Sequence, residues 1–290
     1  MFKVKPDHLT GFFLFTFTKF RYNHSPMKLL IFQVDAFTAH QFGGNPAAVC
    51  PLDEWLPDAT LQLIAMENNL SETAFFVRKG DSFHIRWFTP VLEVDLCGHA
   101  TLASAFILFE KLNYQGNKIN FLSRSGPLSV CKKDDLITLN FPRDSFLPLR
   151  PPLELLNSLG FQPIEAYKGK TDWMFLLDSQ KEVEEFQPDW TAMAKIDCRG
   201  IIITAKGEEV DFVSRFFAPQ SGVPEDPVTG SAHTTLAPFW AERLGKTELT
   251  AMQLSKRKGY LWCKVSENRI EISGNACLYM TGEIYIENDK

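Results

Sequence analysis

The chain has 290 residues, which is long enough for one large domain or two domains of ordinary size. Its net charge is −5 and its basic residues are scattered, so the composition excludes the concentrated basic surface of a nucleic-acid-binding protein. Six cysteines without CxxC pairing or histidine partners at zinc spacing exclude a zinc ribbon and favour a reducing compartment. We therefore expect a cytoplasmic protein with neither a metal nor a nucleic-acid partner.

The first 26 residues differ in character from the rest of the chain. The apolar run 12–17 is much shorter than the roughly 20 residues of a membrane span, and no small-residue cleavage site follows it. We interpret 1–26 as an N-terminal extension outside the fold, with a targeting segment as the alternative, and we expect no membrane partner.

Strand patterns alternate with turn residues through the first half of the chain. A helix is predicted over 57–68, and a second helix, apolar on almost all sides and therefore buried, over 98–112. The predicted strands are 29–34, 47–50, 73–77, 83–88, 118–123, 127–132 and 136–141. Prolines then crowd between 142 and 152, where we place an inter-domain linker.

The second half follows a similar order. Strands are predicted over 173–177, 200–204 and 209–217, and a second buried helix over 231–244, with Gly245 fitting its C-terminal stop. Four short strands complete the chain. Short turns between strands favour mostly antiparallel pairing.

Blocks of the first half recur in the second half in the same order. The segment 86–90, which is followed by Gly98, recurs as 215–219, which is followed by Gly230. The segment 123–126 recurs as 255–259. Recurring blocks of this length indicate a duplicated domain. The sequence thus predicts an α+β fold of two similar domains, 27–143 and 144–276, each with a strand-rich sheet and one buried helix.

Two glycines begin the two predicted buried helices, Gly98 and Gly230. Glycine lets the backbone approach a ligand closely, and the first N–H groups of a helix lack internal partners, so each start could bind an anion. We expect the two helix starts to bind a small acid between the two halves of the chain. The alternative is that the glycines only permit tight turns, while Asp95, Thr229 and Ser231 cap the helices.

Glu72 is placed where a helix leads into a strand, without a neighbouring lysine or arginine. Partial desolvation there would raise the pKa of its carboxyl and suit it to take up and return a proton. A capping or turn carboxylate is the alternative.

Further candidates lie beside the helix starts. Asp226 either favours the helix dipole or orients a catalytic or substrate group. His99 lies in the first helical turn, where a depressed pKa would keep the imidazole neutral, although a hydrogen-bonded core histidine is the alternative. Cys97 at the same start is expected to have a lowered thiol pKa. Its counterpart is Thr229, so a paired-thiol mechanism lacks its second member.

Together these motifs resemble the phenazine-biosynthesis isomerase family, the PhzF-like proteins, which are relatives in fold of diaminopimelate epimerase. The matching segments follow the family's order from residue 27 to the C-terminus: 35–38, 42–49, 69–75, 86–90, 97–101 and 225–232.

The resemblance implies that each domain is a curled sheet around a central helix, with the active site in the cleft between the domains. It also makes the last strand, 277–290, a candidate to complete the N-terminal domain. A cofactor-free isomerase and a homodimer are implied as well.

The family's functional residues carry over position by position. The general acid/base falls on Glu72, and the other catalytic positions fall on His99, Asp226 and Ser231. The substrate-binding positions are Asn45, Gly98, Ala100 and Gly230. In the epimerase relatives a cysteine stands at each helix start, whereas only the first is present here, as Cys97.

The sequence therefore predicts an isomerase that moves a proton on a small carboxylate-bearing substrate, with Glu72 removing the proton and returning it elsewhere on the same skeleton. One alternative is a racemase or epimerase in which Cys97 is one base. Another is a metabolite-binding or scaffold protein that keeps the pocket without turnover.

Overall fold

A computed structural model describes residues 27–287, so the expected extension 1–26 lies outside the described residues. The first half follows the predicted order closely. Its elements are β1 (Met27–Ala36), β2 (Asn45–Leu52), α1 (Asp58–Asn68), β3 (Glu72–Lys79), β4 (Ser82–Phe88), β5 (Glu93–Val94), α2 (Gly98–Glu110), β6 (Lys118–Ser123), β7 (Gly126–Lys133) and β8 (Leu136–Pro142).

The second half contains more short elements than the sequence pattern predicts. They are β9 (Leu147–Pro148), α3 (Leu153–Leu159), β10 (Glu165–Lys168), β11 (Asp172–Leu176), α4 (Gln180–Glu185), α5 (Trp190–Met193), β12 (Gly200–Lys206), β13 (Phe212–Ala218), a 3₁₀ turn (Pro219–Ser221), β14 (Val223–Asp226), α6 (His233–Leu244), β15 (Glu248–Gln253), β16 (Gly259–Val265), β17 (Arg269–Gly274) and β18 (Ala276–Ile286). Helices as short as α3, α4 and α5 carry too few residues to show a helical period.

The strands form one connected 18-stranded system, in which most neighbours are antiparallel. Parallel pairing occurs where a longer connection intervenes, as between β2 and β3 across α1 and between β11 and β12. The α+β class predicted from the sequence is confirmed as a sheet-dominated fold with few helices. Among the helices of residues 27–287, none has the length and apolar character needed to cross a membrane.

The last strand returns to the first. β18 pairs with β1 in antiparallel register from Met27 opposite Ile286 to Ala36 opposite Ala276. β17 also pairs with β8, so backbone hydrogen bonds connect the end of the chain with its first half at two places.

The sequence repeat corresponds to a repeated ion pair. Arg86 of β4 binds Glu93 of β5 through two hydrogen bonds of 2.7 Å, and Arg215 of β13 binds Glu225 of β14 through bonds of 2.6 and 3.0 Å. In both places the glutamate lies on the strand that leads toward a buried helix. A bidentate pair of this kind fixes the relative position of the two strands, and the two side-chain charges neutralise each other.

Both buried helices contribute to one hydrophobic core. Leu102 and Ile107 of α2 belong to the same cluster of buried side chains as Leu236 and Trp240 of α6. α6 begins two residues later than predicted, because a turn precedes it in which the N–H of His233 donates to the carbonyl of Gly230.

Phe37 lies at the junction of several of these elements. Its side chain is fully buried, and its φ of +63° is unusual for a bulky residue. The Phe37 N–H donates to the carbonyl of Asn275, and its carbonyl accepts from the N–H of Tyr260. A methyl group added at Gly274 would lie only 2.4 Å from the Phe37 ring.

We expect Gly274→Ala to lower the free energy of unfolding by about 1–3 kcal/mol, because the added methyl overpacks the Phe37 ring. Gly282→Ala is the matched control, since its methyl would meet only ordinary contact with Ile31 at 3.7 Å. Urea unfolding of both variants measures the difference. If Gly274→Ala and Gly282→Ala are equally stable, the close packing of Gly274 against the Phe37 ring is contradicted.

Candidate active site

A cavity of about 660 Å³ lies near the starts of the two buried helices. Glu72, Asp226 and Ser231 line it, together with apolar side chains that include Phe141 and Phe216. This volume is in the range of sites for small metabolites. Three of the four predicted catalytic residues thus line one cavity.

Glu72 is the first residue of β3, and its side chain keeps 15% of its exposure. Burial, and secondarily the negative charge of Asp226, raise the pKa of the Glu72 carboxyl to about 8. Its Oε2 atom is buried and has no hydrogen-bond partner within residues 27–287. A carboxyl in this state can hold or release a proton near neutral pH.

His99 lies directly behind Glu72, in the first turn of α2, and is 2% exposed. Its Nε2 atom lies 3.3 Å from Glu72 Oε2, without the alignment of a hydrogen bond. Its Nδ1 atom lies 3.1 Å from the amide nitrogen of Asn45, which can only donate, so the ring proton is assigned to Nε2. Burial lowers the His99 pKa to about 3, so the ring is neutral, as predicted.

Asn45, the first residue of β2, connects this group to Asp226 at the end of β14. Its amide nitrogen donates to Asp226 Oδ1 over 2.6 Å and to the carbonyl of Val228 over 2.9 Å. The Thr229 hydroxyl donates to Asp226 Oδ2 over 2.5 Å. Burial raises the pKa of Asp226 to about 6, whereas the bonds from Thr229 and Asn45 act in the opposite direction.

The two helix starts approach each other closely. A methyl group added at Gly98 would lie 3.2 Å from the Cα of Gly230. The residues preceding α2 and α6 are Cys97 and Ala232, and neither makes a side-chain cap. The capping role considered for Asp95, Thr229 and Ser231 is therefore wrong.

The remaining predicted binding residues are buried. Asn45 and Ala100 have no exposed surface, and neither they nor Gly98 and Gly230 belong to the cavity lining. These residues support the wall formed by Glu72, Asp226 and Ser231.

Known proteins resemble this chain in sequence and in fold. The family model described as phenazine biosynthesis-like protein (PhzC-PhzF) matches residues 34–282. The chain belongs to this family. A Pseudomonas aeruginosa protein named as an uncharacterized isomerase is 51% identical over 260 residues, covering 90% of this chain and all of that protein.

Solved structures extend the comparison. The crystal structure of a PhzF-family protein from Enterococcus faecalis has a TM-score of 0.86 and 48% identity, covering 90% of this chain and 100% of that one. A hydroxyproline epimerase from Agrobacterium vitis, at 9% identity and a TM-score of 0.59, covers 90% of this chain and 93% of its own and shares the fold. The family and its named isomerases identify the chain as an isomerase.

Arg199 is a cavity residue of this PhzF-like chain that the sequence analysis missed. Its guanidinium pairs with Asp172, with Nε 2.8 Å from Oδ1, and donates to the Ser231 hydroxyl over 3.1 Å. All three residues line the cavity. The only sequence signal is an arginine that directly precedes the apolar strand β12.

Gln253 was also missed. It is fully buried at the end of β15, where its Oε1 accepts from the Thr229 N–H and its Nε2 donates to the Asp226 carbonyl. These bonds hold the loop that carries Asp226. A glutamine closing an otherwise apolar strand was the available signal.

The expectation for Cys97 is wrong. Burial, followed by the charge of Glu72, raises the pKa of the Cys97 thiol well above its ordinary value, although the thiol lies at a helix start. The hydrogen bond from the Ala100 N–H acts in the opposite direction and is outweighed. Because the thiol is buried beside the Glu72 carboxyl, it stays protonated.

We expect the stability of the protein to depend on the protonation of Glu72. Its folded pKa lies above its unfolded value, so the stabilisation is complete below about pH 4.5 and is lost as the pH rises through about 8. The loss is at most about 1.4 kcal/mol per pH unit. Glu72→Gln does not titrate, so its stability relative to the unmodified protein should increase between pH 5 and 8.

Urea unfolding at several pH values measures this difference. Glu67→Gln, the same change at an exposed position of α1, is the matched control. A difference for Glu72→Gln that stays constant with pH would show that the buried carboxyl is not preferentially protonated in the folded protein.

Proposed function

We propose that this protein is a cofactor-independent isomerase in which Glu72 transfers a proton between two carbons of a small carboxylate-bearing substrate. The observation that carries the proposal is the Glu72 carboxyl itself, which lines the cavity, has a raised pKa and leaves Oε2 without a partner within residues 27–287. A group needed only for folding would be expected to have its buried oxygen satisfied.

The same proposal places the cavity in a cleft between two similar units, 27–143 and 144–276. Residues of both units line the cavity, among them Glu72 from the first and Asp226 from the second. The repeated pairs Arg86–Glu93 and Arg215–Glu225 support the division. The pairing of β18 with β1 supports assigning the last strand to the first unit.

The substrate carboxylate would lie against the uncapped helix starts. The dipoles of α2 and α6 favour a negative charge there. Ser231 and the cation of Arg199 lie on the same cavity and add polar donors. These groups also stabilise the negative charge that develops on the conjugated substrate when a proton leaves its carbon.

The proton then follows a short path. The ionised Glu72 carboxylate removes a proton from a carbon made acidic by conjugation and returns it to a second carbon of the same skeleton. The net reaction changes neither charge nor oxidation state. His99 Nε2, 3.3 Å from Glu72 Oε2, carries a proton that a small rotation of the carboxylate would bring into a hydrogen bond, and Asn45 holds Asp226 toward a substrate amine or hydroxyl.

Epimerisation with Cys97 as one base is less well supported. The Cys97 thiol has a pKa well above its usual range, and the corresponding position at the second helix is Thr229. The Thr229 hydroxyl already donates to Asp226. A hydroxyl held in this way is a poor base.

We expect Glu72→Gln to reduce turnover at least a thousandfold, because the amide cannot carry the proton, while ligand binding persists. A thermal-shift screen of small aromatic and amino carboxylates identifies ligands, and proton exchange of those ligands in deuterated water measures turnover. Glu67→Gln should behave as the unmodified protein. Exchange that survives in Glu72→Gln and disappears in Cys97→Ser would favour the epimerase instead.

The pH dependence of kcat/KM tests the role of the neighbouring carboxylate. If Glu72 acts as the base, kcat/KM should rise with pH and level off near 8. Asp226→Asn removes a negative charge that raises the Glu72 pKa, so the rising limb should move toward lower pH, whatever the loss in maximal rate. If the rising limb of the profile does not move, it reports the titration of a group other than Glu72.

A further inference from the structure

The Arg199 guanidinium is held in place at the cavity by a carboxylate and an aromatic ring. Its Nε donates to Asp172 Oδ1 over 2.8 Å and its Nη2 donates to Asp172 Oδ2, so the pair is bidentate. The group also lies over the Phe216 ring, with 5.4 Å between Cζ and the ring centroid. Asp172 is only 3% exposed. A guanidinium fixed in this way presents its remaining N–H groups in defined directions.

The guanidinium has donors that the protein does not use. Of its five N–H groups, two bind Asp172 and one binds the Ser231 hydroxyl oxygen at 3.1 Å, so two have no partner within residues 27–287. The Arg199 side chain keeps 38% of its exposure and lines the cavity. The unused N–H groups are therefore accessible to a ligand in the cavity.

The Ser231 hydroxyl is also left as a donor. Because a guanidinium can only donate, the Ser231 oxygen accepts from Nη1 of Arg199 and its own hydrogen points elsewhere. That hydrogen has no acceptor among the residues that the structure describes, and Ser231 lines the same cavity. Arg199 and Ser231 thus offer a ligand adjacent N–H and O–H donors beside a positive charge.

A carboxylate is the ligand group that matches these donors. One of its oxygens can accept the Arg199 N–H while the other accepts the Ser231 O–H, and its negative charge lies beside the guanidinium. A substrate ammonium would meet only donors at this place. The charge of Arg199 also acts on Asp226: burial raises the pKa of Asp226, and the guanidinium is among the groups that oppose this rise. The cation is therefore within electrostatic reach of the candidate active site.

We propose that Arg199 is the specificity-determining residue for the substrate carboxylate, which it binds together with the Ser231 hydroxyl, and that Asp172 is its positioning residue. The inference rests on the proposed function, because it names the side chains that select a carboxylate-bearing substrate. Proton transfer remains with Glu72. The selection of the carboxylate and the transfer of the proton are therefore open to separate measurements.

A purely structural role of the same pair makes a different prediction. Asp172 begins β11 and lies opposite Gly200, the first residue of β12, so the bond to Arg199 could serve only to join two parallel strands. Loss of such a link would weaken the binding of every ligand of the cavity. Loss of a carboxylate-binding arginine weakens the binding of carboxylates and leaves their neutral analogues unaffected. The ratio of the two affinities separates the two roles.

Benzoate and benzamide are the probes, since they share a ring and differ in the charge of one group. Calorimetric titration of the full chain at neutral pH should show benzoate binding about tenfold more tightly than benzamide. Arg199→Gln should reduce benzoate affinity by about tenfold and change benzamide affinity by less than about twofold. Ser231→Ala and Asp172→Asn should lower the ratio in the same direction.

Arg243→Gln is the matched control. Arg243 keeps 37% of its side-chain exposure, pairs with Glu165 and lies 4.7 Å from the Phe239 ring centroid, but it does not line the cavity. This change should leave both affinities unaltered. Combining Arg199→Gln with Ser231→Ala should cost less benzoate affinity than the two single losses added together, because both side chains bind one carboxylate.

Three results would overturn the assignment: no preference of the unmodified protein for benzoate, an unchanged preference in Arg199→Gln, or an equal loss of both probes in that variant. If Arg199→Gln does not fold, Ser231→Ala decides, since an unchanged preference there removes the donor pair.

Proton exchange in Glu72→Gln tests the proposed function independently. Retained exchange would remove Glu72 from the reaction and leave the carboxylate site of Arg199 standing. Lost exchange, together with an unchanged benzoate preference in Arg199→Gln, would leave the proposed function standing and remove the carboxylate site.

Discussion

The hydrogen bond between Asn45 and Asp226 is the constraint on which the rest of the site depends. It joins residues 181 positions apart. The Asn45 amide nitrogen also contacts the carbonyl of Val228 and Nδ1 of His99. Three acceptors, two of them buried, therefore share one donor group. Without it, His99 Nδ1 and the Val228 carbonyl would each lose a buried partner, at a cost of about 1–3 kcal/mol for each unsatisfied group.

This contact also sets the chemistry of Glu72. Because the amide can only donate to His99 Nδ1, the imidazole proton is directed to Nε2 and toward the carboxyl of Glu72. The same amide holds Asp226 where its charge raises the Glu72 pKa. One neutral side chain thus fixes the tautomer of a histidine and the protonation of a carboxyl, although it carries no charge itself.

Local patterns in the sequence predicted most elements of the fold because their burial is periodic. The alternation in β4 and the all-apolar surface of α2 could be read directly, and the glycine at the start of α2 indicated a close approach. The raised pKa of Glu72 also followed from its uncharged neighbourhood. Gly230 approaches Gly98 in the structure. The sequence could predict this contact only because the motif around Gly98 recurs around Gly230.

The features that sequence patterns did not predict depend on contacts between distant segments. Arg199 meets Ser231, and Gln253 meets Thr229, through folding that no local period encodes. The Cys97 thiol was misjudged for the same reason: the helix start was visible, whereas the opposing effect of burial beside Glu72 was not. A dipole worth at most about 2 kcal/mol is outweighed by the desolvation of a buried thiolate.

The two helix starts are alike in backbone and unlike in chemistry. At the first, Cys97 lies against the free carboxyl of Glu72, and at the second, Thr229 is bound to Asp226 and held by Gln253. At the second start both carboxylate oxygens of Asp226 are hydrogen-bonded, although His233 Nε2 has no partner, while the first leaves both an acid oxygen and an imidazole nitrogen without partners within the described chain. An epimerase with two equivalent bases, one on each face of the substrate, would need an unpartnered acid or base at each helix start. A single free carboxyl on one side favours transfer of a proton along one face of a substrate over inversion at one carbon.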